Sequence, residues 1–306
     1  MKGVILAAGK GSRLFPVTHH IPKPLLPIAN RMTLEYAFDQ LKEMGIREIC
    51  IVVGENAPHV HAALGDGSAF GVSLSYVTQT EPKGLAHAVG FAQEFVGDDS
   101  FVLYLGDAVY DRSLAEFARQ FTTSGCDNLN LVKTVEDPRR FGVATLEGDR
   151  IIRLVEKPAE PESNFAMAGM YIFGPAIWDA LVDLPPSARG ELEITDAIQR
   201  LIDSGKDVRA GIYEGEWFDT GTLDSFLETS NFLTQGAVLA GENADFEAIV
   251  GQHVVIGAGA CVRAGMLEDC VVLPGAKVTV DGNIRHAVLG GTVTRSGDIE
   301  NEVVWG

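Results

Sequence analysis

Three short stretches of the chain carry residue types that suit phosphate chemistry. Directly after an apolar run, Leu6-Ala7-Ala8-Gly9-Lys10-Gly11-Ser12-Arg13 brings two glycines and two cations together. Glycines at the carboxyl end of a strand let backbone N–H groups turn inward around a phosphate with no Cβ in the way. The pattern is neither the dinucleotide fingerprint GxGxxG nor the P-loop GxxxxGK[ST]. Further on, Pro22-Lys23-Pro24-Leu25-Leu26-Pro27 presents Lys23 from a segment stiffened by proline. Glycine turns and solvated loop lysines are common in isolation. What singles these out is that no Asp or Glu precedes Glu35, whereas Lys2, Lys10, Arg13, Lys23 and Arg31 all do. The whole chain holds 42 Asp plus Glu against 24 Lys plus Arg, a formal net charge of −18. An acid-free basic window in such a chain marks a site for a small, highly charged anion.

Two carboxylates complement that window. Leu105-Gly106-Asp107 puts an acid just past an apolar strand, where open α/β sheets bind ligands. Asp219, within Trp217-Phe218-Asp219-Thr220-Gly221-Thr222, is the candidate second ligand. Two carboxylates from distant segments, completed by phosphate oxygens and water, suit Mg²⁺. Val155-Glu156-Lys157-Pro158 has two readings. Strand alternation would put Glu156 and Lys157 on opposite faces, as a hydrated ion pair. If Pro158 ends the strand there, both side chains reach one ligand, Lys157 a phosphate and Glu156 neutral hydroxyls.

The elements that must hold these residues follow from hydrophobic periodicity. Gly3–Ala7 reads as a buried strand, and residues 33–44 place Leu34, Ala37, Phe38, Leu41 and Met44 at helical spacing. Strands are expected at 48–53, 72–77 and 100–105, with helices at 58–64, 85–95, 175–183, 194–204 and 222–234. Several strand-like runs fill 128–173. Alternation of this kind predicts an α/β fold whose mainly parallel, Rossmann-like sheet becomes mixed in its second half. After Gly236 the pattern changes. Val250, Ile256 and Val262 recur every six residues, as do Val272, Val278 and Ile284, with small and polar residues between. That is the hexapeptide signature of a left-handed β-helix, here short, with a slip or loop expected between Val262 and Val272. The expected domains are therefore 1–235, catalytic, and 236–306, β-helical. So few coils would need capping, and a homo-oligomer contact is one way to supply it.

Composition bounds the rest. With 46% hydrophobic and 22% charged residues the chain is globular, and its acidity argues against nucleic-acid or anionic-membrane partners. The N-terminal apolar run is too short for a secretory signal, and no run approaches the roughly 20 residues that span a bilayer. Cys50, Cys126, Cys261 and Cys270 show no CxxC spacing and read as buried thiols of a reducing compartment. A cytoplasmic protein is expected.

Taken in order, LAAGKGSRLFPVT, PKPLLPI, Gln79 with Gly84-Leu85-Ala86, LGD, Phe141-Gly142-Val143, VEKP, GELEITDAI and WFDTGT resemble the sugar-1-phosphate nucleotidyltransferases, collinearly from residue 1 to about 235. QTEPKGLAHAV, GDDSFVLYLGD and RGELEITDAI look most like the long-form glucose-1-phosphate thymidylyltransferases, which also carry a C-terminal β-helix. The resemblance implies that an NTP, dTTP or UTP first, donates its nucleotidyl group to a sugar 1-phosphate such as glucose 1-phosphate, releasing pyrophosphate. It implies that Gly9 and Gly11, with the backbone of Leu6, Ala7 and Ala8, hold the nucleotide. Arg13 would take the triphosphate, Lys23 the phosphates at the reacting centre, and Gln79 and Gly84 the base edge. Asp107 and Asp219 would bind Mg²⁺. Gly142, Glu156 and the segment around Gly169 would line the sugar pocket, and Lys157 would hold the sugar phosphate.

Two departures stand out. Ala108 follows Asp107 where these enzymes usually carry Asn, which opens the choice of sugar or cyclitol, and the β-helix is shorter than in the long forms. GTP and ATP remain alternative donors. Two other classes compete: an acyltransferase working through the β-helix, for which His253 and His286 are expected only on exposed turns, and a non-catalytic subunit. Loss of Asp107, Lys157 or Asp219 would have favoured the latter, and all three are present.

Overall fold

A computed structural model describes all 306 residues. Its contacts group them into two compact units. One comprises Met1–Gly9 and Tyr36–Trp217, the other Lys10–Glu35 and Phe218–Gly306.

The first unit is built on a nine-stranded sheet. Its order is Ser73–Thr78, Glu48–Val53, Lys2–Leu6, Phe101–Leu105, Phe165–Phe173, Asn128–Thr134, Val208–Ile212, Arg150–Glu156, Gly142–Glu147. The first four strands run parallel. Three of them are nearly continuous apolar runs, as a strand covered on both faces requires: Val4, Ile5, Ile49, Ile51, Val52, Phe101, Val102 and Leu103 are fully buried. Phe165–Phe173 then pairs antiparallel with Phe101–Leu105, and the remaining strands are mixed. The parallel half becoming mixed within 128–173 agrees with the expectation from the sequence.

Most helices sit where periodicity puts them, at Thr33–Glu43, Ala57–Leu64, Ile177–Leu181, Ile194–Asp203 and Leu223–Thr234. Leu34, Ala37, Phe38 and Leu41 are all buried, as their spacing requires. Two differences appear. The single helix expected over 85–95 is two pieces, Leu85–Gly90 and Gln93–Val96, with Phe91 and Ala92 N–H groups donating three residues back. Gly90 at the break is a poor helix former. Residues 115–124, unassigned in the sequence reading, form a helix that buries Phe117, Ala118 and Phe121.

The second unit contains the C-terminal strands, which pair in parallel ladders with a near-constant offset. Along one ladder Leu239 pairs with Val255, Val255 with Val271, Val271 with Val288 and Val288 with Val303. A second runs through Asp245, Cys261, Lys277 and Thr292. A third runs through Val250, Leu267, Ile284 and Ile299. Three parallel ladders repeating every 15 to 17 residues describe a chain wound in coils with three faces, each coil shorter than three six-residue runs. Ile256, Val262, Val272, Val278 and Ile284 point inward, as the six-residue spacing predicts. The stretch between Val262 and Val272 is not a loop. Strand Cys261–Val272 crosses it without interruption, and Leu267 fills the missing interior position.

Equivalent corners of successive coils share an unusual backbone. His253, Asp269, His286 and Asn301 all adopt positive φ, at 59°, 46°, 44° and 56°. The two histidines were expected on exposed turns; both are half-buried instead, because helix Leu223–Thr234 and Gly236 just beyond it cover these corners, His286 meeting Asp224 and His253 lying against Gly236. The same unit holds the hairpin Pro27–Ile28 with Arg31–Met32, and helix Leu223–Thr234, whose start is fixed by a capping box between Thr222 and Ser225. Cys50, Cys126 and Cys270 are buried, but Cys261, on the second ladder, is only partly so.

Candidate active site

In the second unit the residues expected at phosphate converge. Gly11 takes φ 63°, and a Cβ there would lie 3.0 Å from Lys23 Cβ and 3.1 Å from Thr18 Cγ2. The glycine loop and the Pro22-Lys23-Pro24 turn therefore touch, and Thr18 Oγ1 donates to the Gly11 carbonyl at 2.8 Å to fix them. Lys23 is buried, yet its Nζ lies only 3.9 Å from Asp219 Oδ1. A Cβ on Gly221 would lie 2.6 Å from Arg13 Nη2 and 3.0 Å from Asp219 Oδ1. Arg13 and Asp219 thus meet over the backbone of Gly221, and Lys23 approaches the same carboxylate oxygen from the proline-flanked turn.

In the first unit the strand ends form a second cluster. Ala7 N–H donates to Val52 O at 2.8 Å, Gly106 N–H to Leu6 O at 3.0 Å, and Asn56 Nδ2 to Ala7 O at 2.8 Å. Leu6 and Ala7 are buried and Ala8 partly so. Gly9 has ordinary φ, and nothing lies within 4 Å of where its Cβ would be. Protein packing does not require glycine at 9. The space over it does, if a ligand is to use it.

Asp107 sits in a turn held from both sides, by the Gly106 bond and by Tyr104 Oη donating to Ala108 O at 3.0 Å. Tyr110 Oη donates to Ala168 O. Burial pushes both phenols well above their usual pKa, with nearby tyrosines and Asp107 adding to the rise, so they act only as neutral donors. Gly169, at φ 80°, makes the bulge in strand Phe165–Phe173, and its nearest neighbours are Leu105 and Ala108. It therefore abuts the Asp107 turn.

Gln79 and Gly84 meet directly. Gln79 Nε2 donates to Gly84 O at 3.3 Å and lies 3.0 Å from His87 Nδ1. A carbonyl can only accept, so this contact fixes which amide atom is nitrogen and leaves Oε1 as the acceptor for a ligand. Gly84 is at φ 110°, and any side chain would strike Leu192 O, 2.5 Å from an ideal Cβ.

Gly142, Glu156 and Lys157 also assemble. A Cβ on Gly142 would lie 2.5 Å from Thr195 Cγ2 and 3.3 Å from Glu156 Oε2. At Val155-Glu156-Lys157-Pro158 the two side chains do not alternate across the strand, and they form the ion pair of the first reading on one side. The strand ends at Glu156, Lys157 turns to φ 42°, and its Nζ comes back to 3.3 Å from Glu156 Oε1. That backbone costs a non-glycine residue about 1 kcal/mol.

Several residues at this cluster were given no role in the sequence reading. Thr195 Oγ1 donates to Glu156 Oε2 at 3.2 Å. Arg189 Nη1 lies 3.4 Å from Glu156 Oε1 and 3.2 Å from Glu193 Oε1. Burial first, then the Glu156 charge, raises the Glu193 pKa. Trp217 packs on Phe141 with ring centres 5.0 Å apart, and its buried indole N–H has no partner. Arg189, Glu193, Thr195 and Trp217 lie in motifs already quoted, RGELEITDAI and WFDTGT, and His87 lies in QTEPKGLAHAV, but their roles depend on side-chain convergence that spacing does not encode.

No three His, Cys, Asp or Glu side chains gather as an all-protein metal cage would require. The expected carboxylates are single, Asp107 in the first unit and Asp219, 35% exposed, in the second. Each is a hard oxygen donor of the kind Mg²⁺ takes, since that ion needs only one or two carboxylates and completes its shell with phosphate and water.

Known proteins resemble this chain along most of its length. The family model described as nucleotidyl transferase matches residues 2–236. A low-salt glycan biosynthesis nucleotidyltransferase of Haloferax volcanii is 45% identical over 237 residues, 77% of this chain and 66% of that one, just under two thirds of its length. A glucose-1-phosphate thymidylyltransferase of Streptomyces griseus is 40% identical over 298 residues, covering 89% of this chain and 84% of the relative. Among solved structures, a UDP-glucose pyrophosphorylase complexed with UDP-glucose superposes with a TM-score of 0.70 at 28% identity, over 76% of this chain and 98% of that one.

Proposed function

This chain belongs to the nucleotidyl transferase family, and on that premise we propose that it transfers a nucleotidyl group from dTTP or UTP to a sugar 1-phosphate, glucose 1-phosphate first, releasing pyrophosphate. The observation that carries the reading is the meeting of Arg13 and Asp219 over Gly221, with Lys23 Nζ 3.9 Å from the same Asp219 Oδ1. Such a site suits a triphosphate and little else in a chain this acidic.

In this reading an oxygen of the sugar phosphate attacks the α-phosphorus in line, and pyrophosphate leaves. A phosphate monoester has its second pKa near about 6 and is already ionised at neutral pH, so no general base is needed. The difficulty is to bring two polyanions together, and positioning with charge neutralisation meets it. Arg13 and Lys23 hold the triphosphate against the Gly9–Gly11 backbone. Lys157, returned toward Glu156 by its backbone turn, holds the sugar phosphate while Glu156 accepts from sugar hydroxyls. Mg²⁺, held by Asp107 and Asp219, would supply charge neutralisation on the phosphate oxygens.

The base preference rests on Gln79. With both amide hydrogens directed to Gly84 and His87, its Oε1 suits the N3–H that uracil and thymine present. Ala108, small and buried beside Gly169, leaves the sugar-side contact of the usual Asn unmade, so other sugars or cyclitols stay within the panel to be tested. The domain assignment proposed is 1–235 catalytic and 236–306 a left-handed β-helix. The family match ending at 236 and the parallel coils support it. A cytoplasmic homo-oligomer is the accompanying proposal. No helix is long and apolar enough to cross a membrane.

The test is pyrophosphate release with dTTP, UTP, GTP and ATP against a panel of sugar 1-phosphates. Turnover is expected with a pyrimidine nucleotide and glucose 1-phosphate. Binding of nucleotide without release from any pair would favour a non-catalytic subunit. Asp107→Asn should abolish turnover while nucleotide still binds; unchanged kcat would remove Asp107 from the metal site.

A further inference from the structure

The unit that holds the coils also holds Arg13, Lys23 and Asp219. Its helix Leu223–Thr234 begins almost at once after Asp219, through the Thr222 cap. Asp224 and Asn231 on that helix are seven residues apart, about two turns, and so share one face. Both are fastened to the same corner of the coil stack. Asn231 Nδ2 donates to Asp269 Oδ1 at 2.7 Å, Asp269 Oδ2 lies 2.5 Å from His286 Nδ1, and His286 Nε2 lies 2.9 Å from Asp224 Oδ1. The chain of contacts closes on itself: helix, His286, Asp269, helix.

Ionised carboxylates only accept hydrogen bonds, so a histidine bonded to one through each ring nitrogen must carry both protons. The geometry therefore calls for an imidazolium. Burial lowers the pKa of His286, but hydrogen bonds and charge from Asp224 and Asp269 outweigh it and leave the value raised. Those two are the charged groups facing the ring. The next coil offers neutral Asn301 at the same corner, Glu228 one turn along the helix is exposed, and Arg285 and Glu268 pair with each other at 3.3 Å.

We propose that His286 is a positioning residue for the nucleotide side of the reaction: bridging Asp224 and Asp269, it locks the helix behind Asp219 and so holds the Asp219–Thr222 turn in place. The proposal rests on the nucleotidyltransferase reading above. Because the folded pKa is raised, the bridge is complete below the ordinary histidine value and is lost as pH rises through the folded one. Asp224 is 87% exposed, so the effect is modest in size.

The experiment uses the full chain. Wild-type pyrophosphate release is measured first, so that absence of any turnover sinks the enzyme reading by itself. Kinetic constants for His286→Gln and His286→Arg are then taken from pH 6 to pH 9, with amide hydrogen exchange over residues 220–226. His286→Gln should raise KM for NTP about two- to fivefold at pH 6, leave KM for sugar phosphate unchanged, and speed exchange at those amides. Wild type should drift toward the variant as pH rises. His286→Arg, whose charge does not titrate, should flatten that drift. Asp224→Asn, on an exposed side chain, should reproduce His286→Gln and add nothing to it when combined. A lower Tm with unchanged NTP kinetics and an unchanged pH profile would overturn the proposal, as would unaltered exchange at residues 220–226 whether or not the chain turns over.

Discussion

Arg13 lies so close to Gly221 that a single added methyl group would sit 2.6 Å from its guanidinium nitrogen. The backbone at 221 is thus the floor on which Arg13 rests. Arg13 ends a flexible side chain, whereas the turn is capped into a helix, so the arginine must give way to any substitution. Gly221→Ala should leave the unfolding free energy within about 1 kcal/mol of wild type, and Tm accordingly little changed. It should also raise KM for NTP several-fold, measured in the pyrophosphate assay at saturating sugar phosphate. A large fall in Tm with unchanged KM would mean that the backbone moved instead.

Lys157 and Glu156 sit on the opposite substrate in the proposed reaction. Lys157→Ala should raise KM for sugar phosphate by roughly one to two orders of magnitude, as loss of a charged hydrogen bond does, with KM for NTP near wild type. An effect on NTP alone would reverse the assignment. Lys157→Gly removes the side chain and also the cost of φ 42°, so it should be more stable than Lys157→Ala by up to about 1 kcal/mol in urea unfolding.

Glu193 gives a pH dependence whose sign follows from its environment. Burial and the neighbouring Glu156 charge raise its pKa, so the folded protein holds the proton more tightly than the unfolded chain. The wild type therefore loses stability as pH rises from the unfolded carboxylate value through the folded one. Glu193→Gln removes that loss. The Tm difference, variant minus wild type, should be more favourable at pH 7.5 than at pH 4.5; the opposite trend would show that pairing with Arg189 dominates.

The cysteines can be counted chemically. Burial pushes the Cys50 thiol up to about 12, pushes Cys270, with help from Asp269, likewise up to about 12, and raises Cys126. Cys261 is the one partly open to solvent. Native protein at pH 8 should show one readily labelled thiol, abolished by Cys261→Ser, and four in denaturant. Two or more fast thiols in the native state would contradict the burial.

Much of this was legible from residue order, and the exceptions have physical reasons. Apolar runs located three of the parallel strands because each is buried on both faces, alternation located the half-exposed Ser73–Thr78, and the acid-free window pointed to Arg13 and Lys23 because local charge is a sequence property. Leu267 was missed because the coils repeat every 15 to 17 residues and a strict period of six drifts out of phase across a corner. Thr195, Arg189 and Trp217 were missed because each acquires its role from neighbours brought in by the sheet. His286 was expected on an exposed turn because nothing near it in sequence reveals Asp224, sixty-two residues away.

Each coil pairs only with the one before and the one after, at an offset close to sixteen. The C-terminal body is therefore quantised along its axis. Excising one full rung would carry every later side chain back to an equivalent face, interior to interior and corner to corner, whereas excising half a rung would turn the aliphatics outward. Evolution could lengthen or shorten this part of the molecule in whole steps without re-aiming a single residue. The constraint on any such step is then the corner that faces the helix, where the rung that arrives must bring an acid opposite His286.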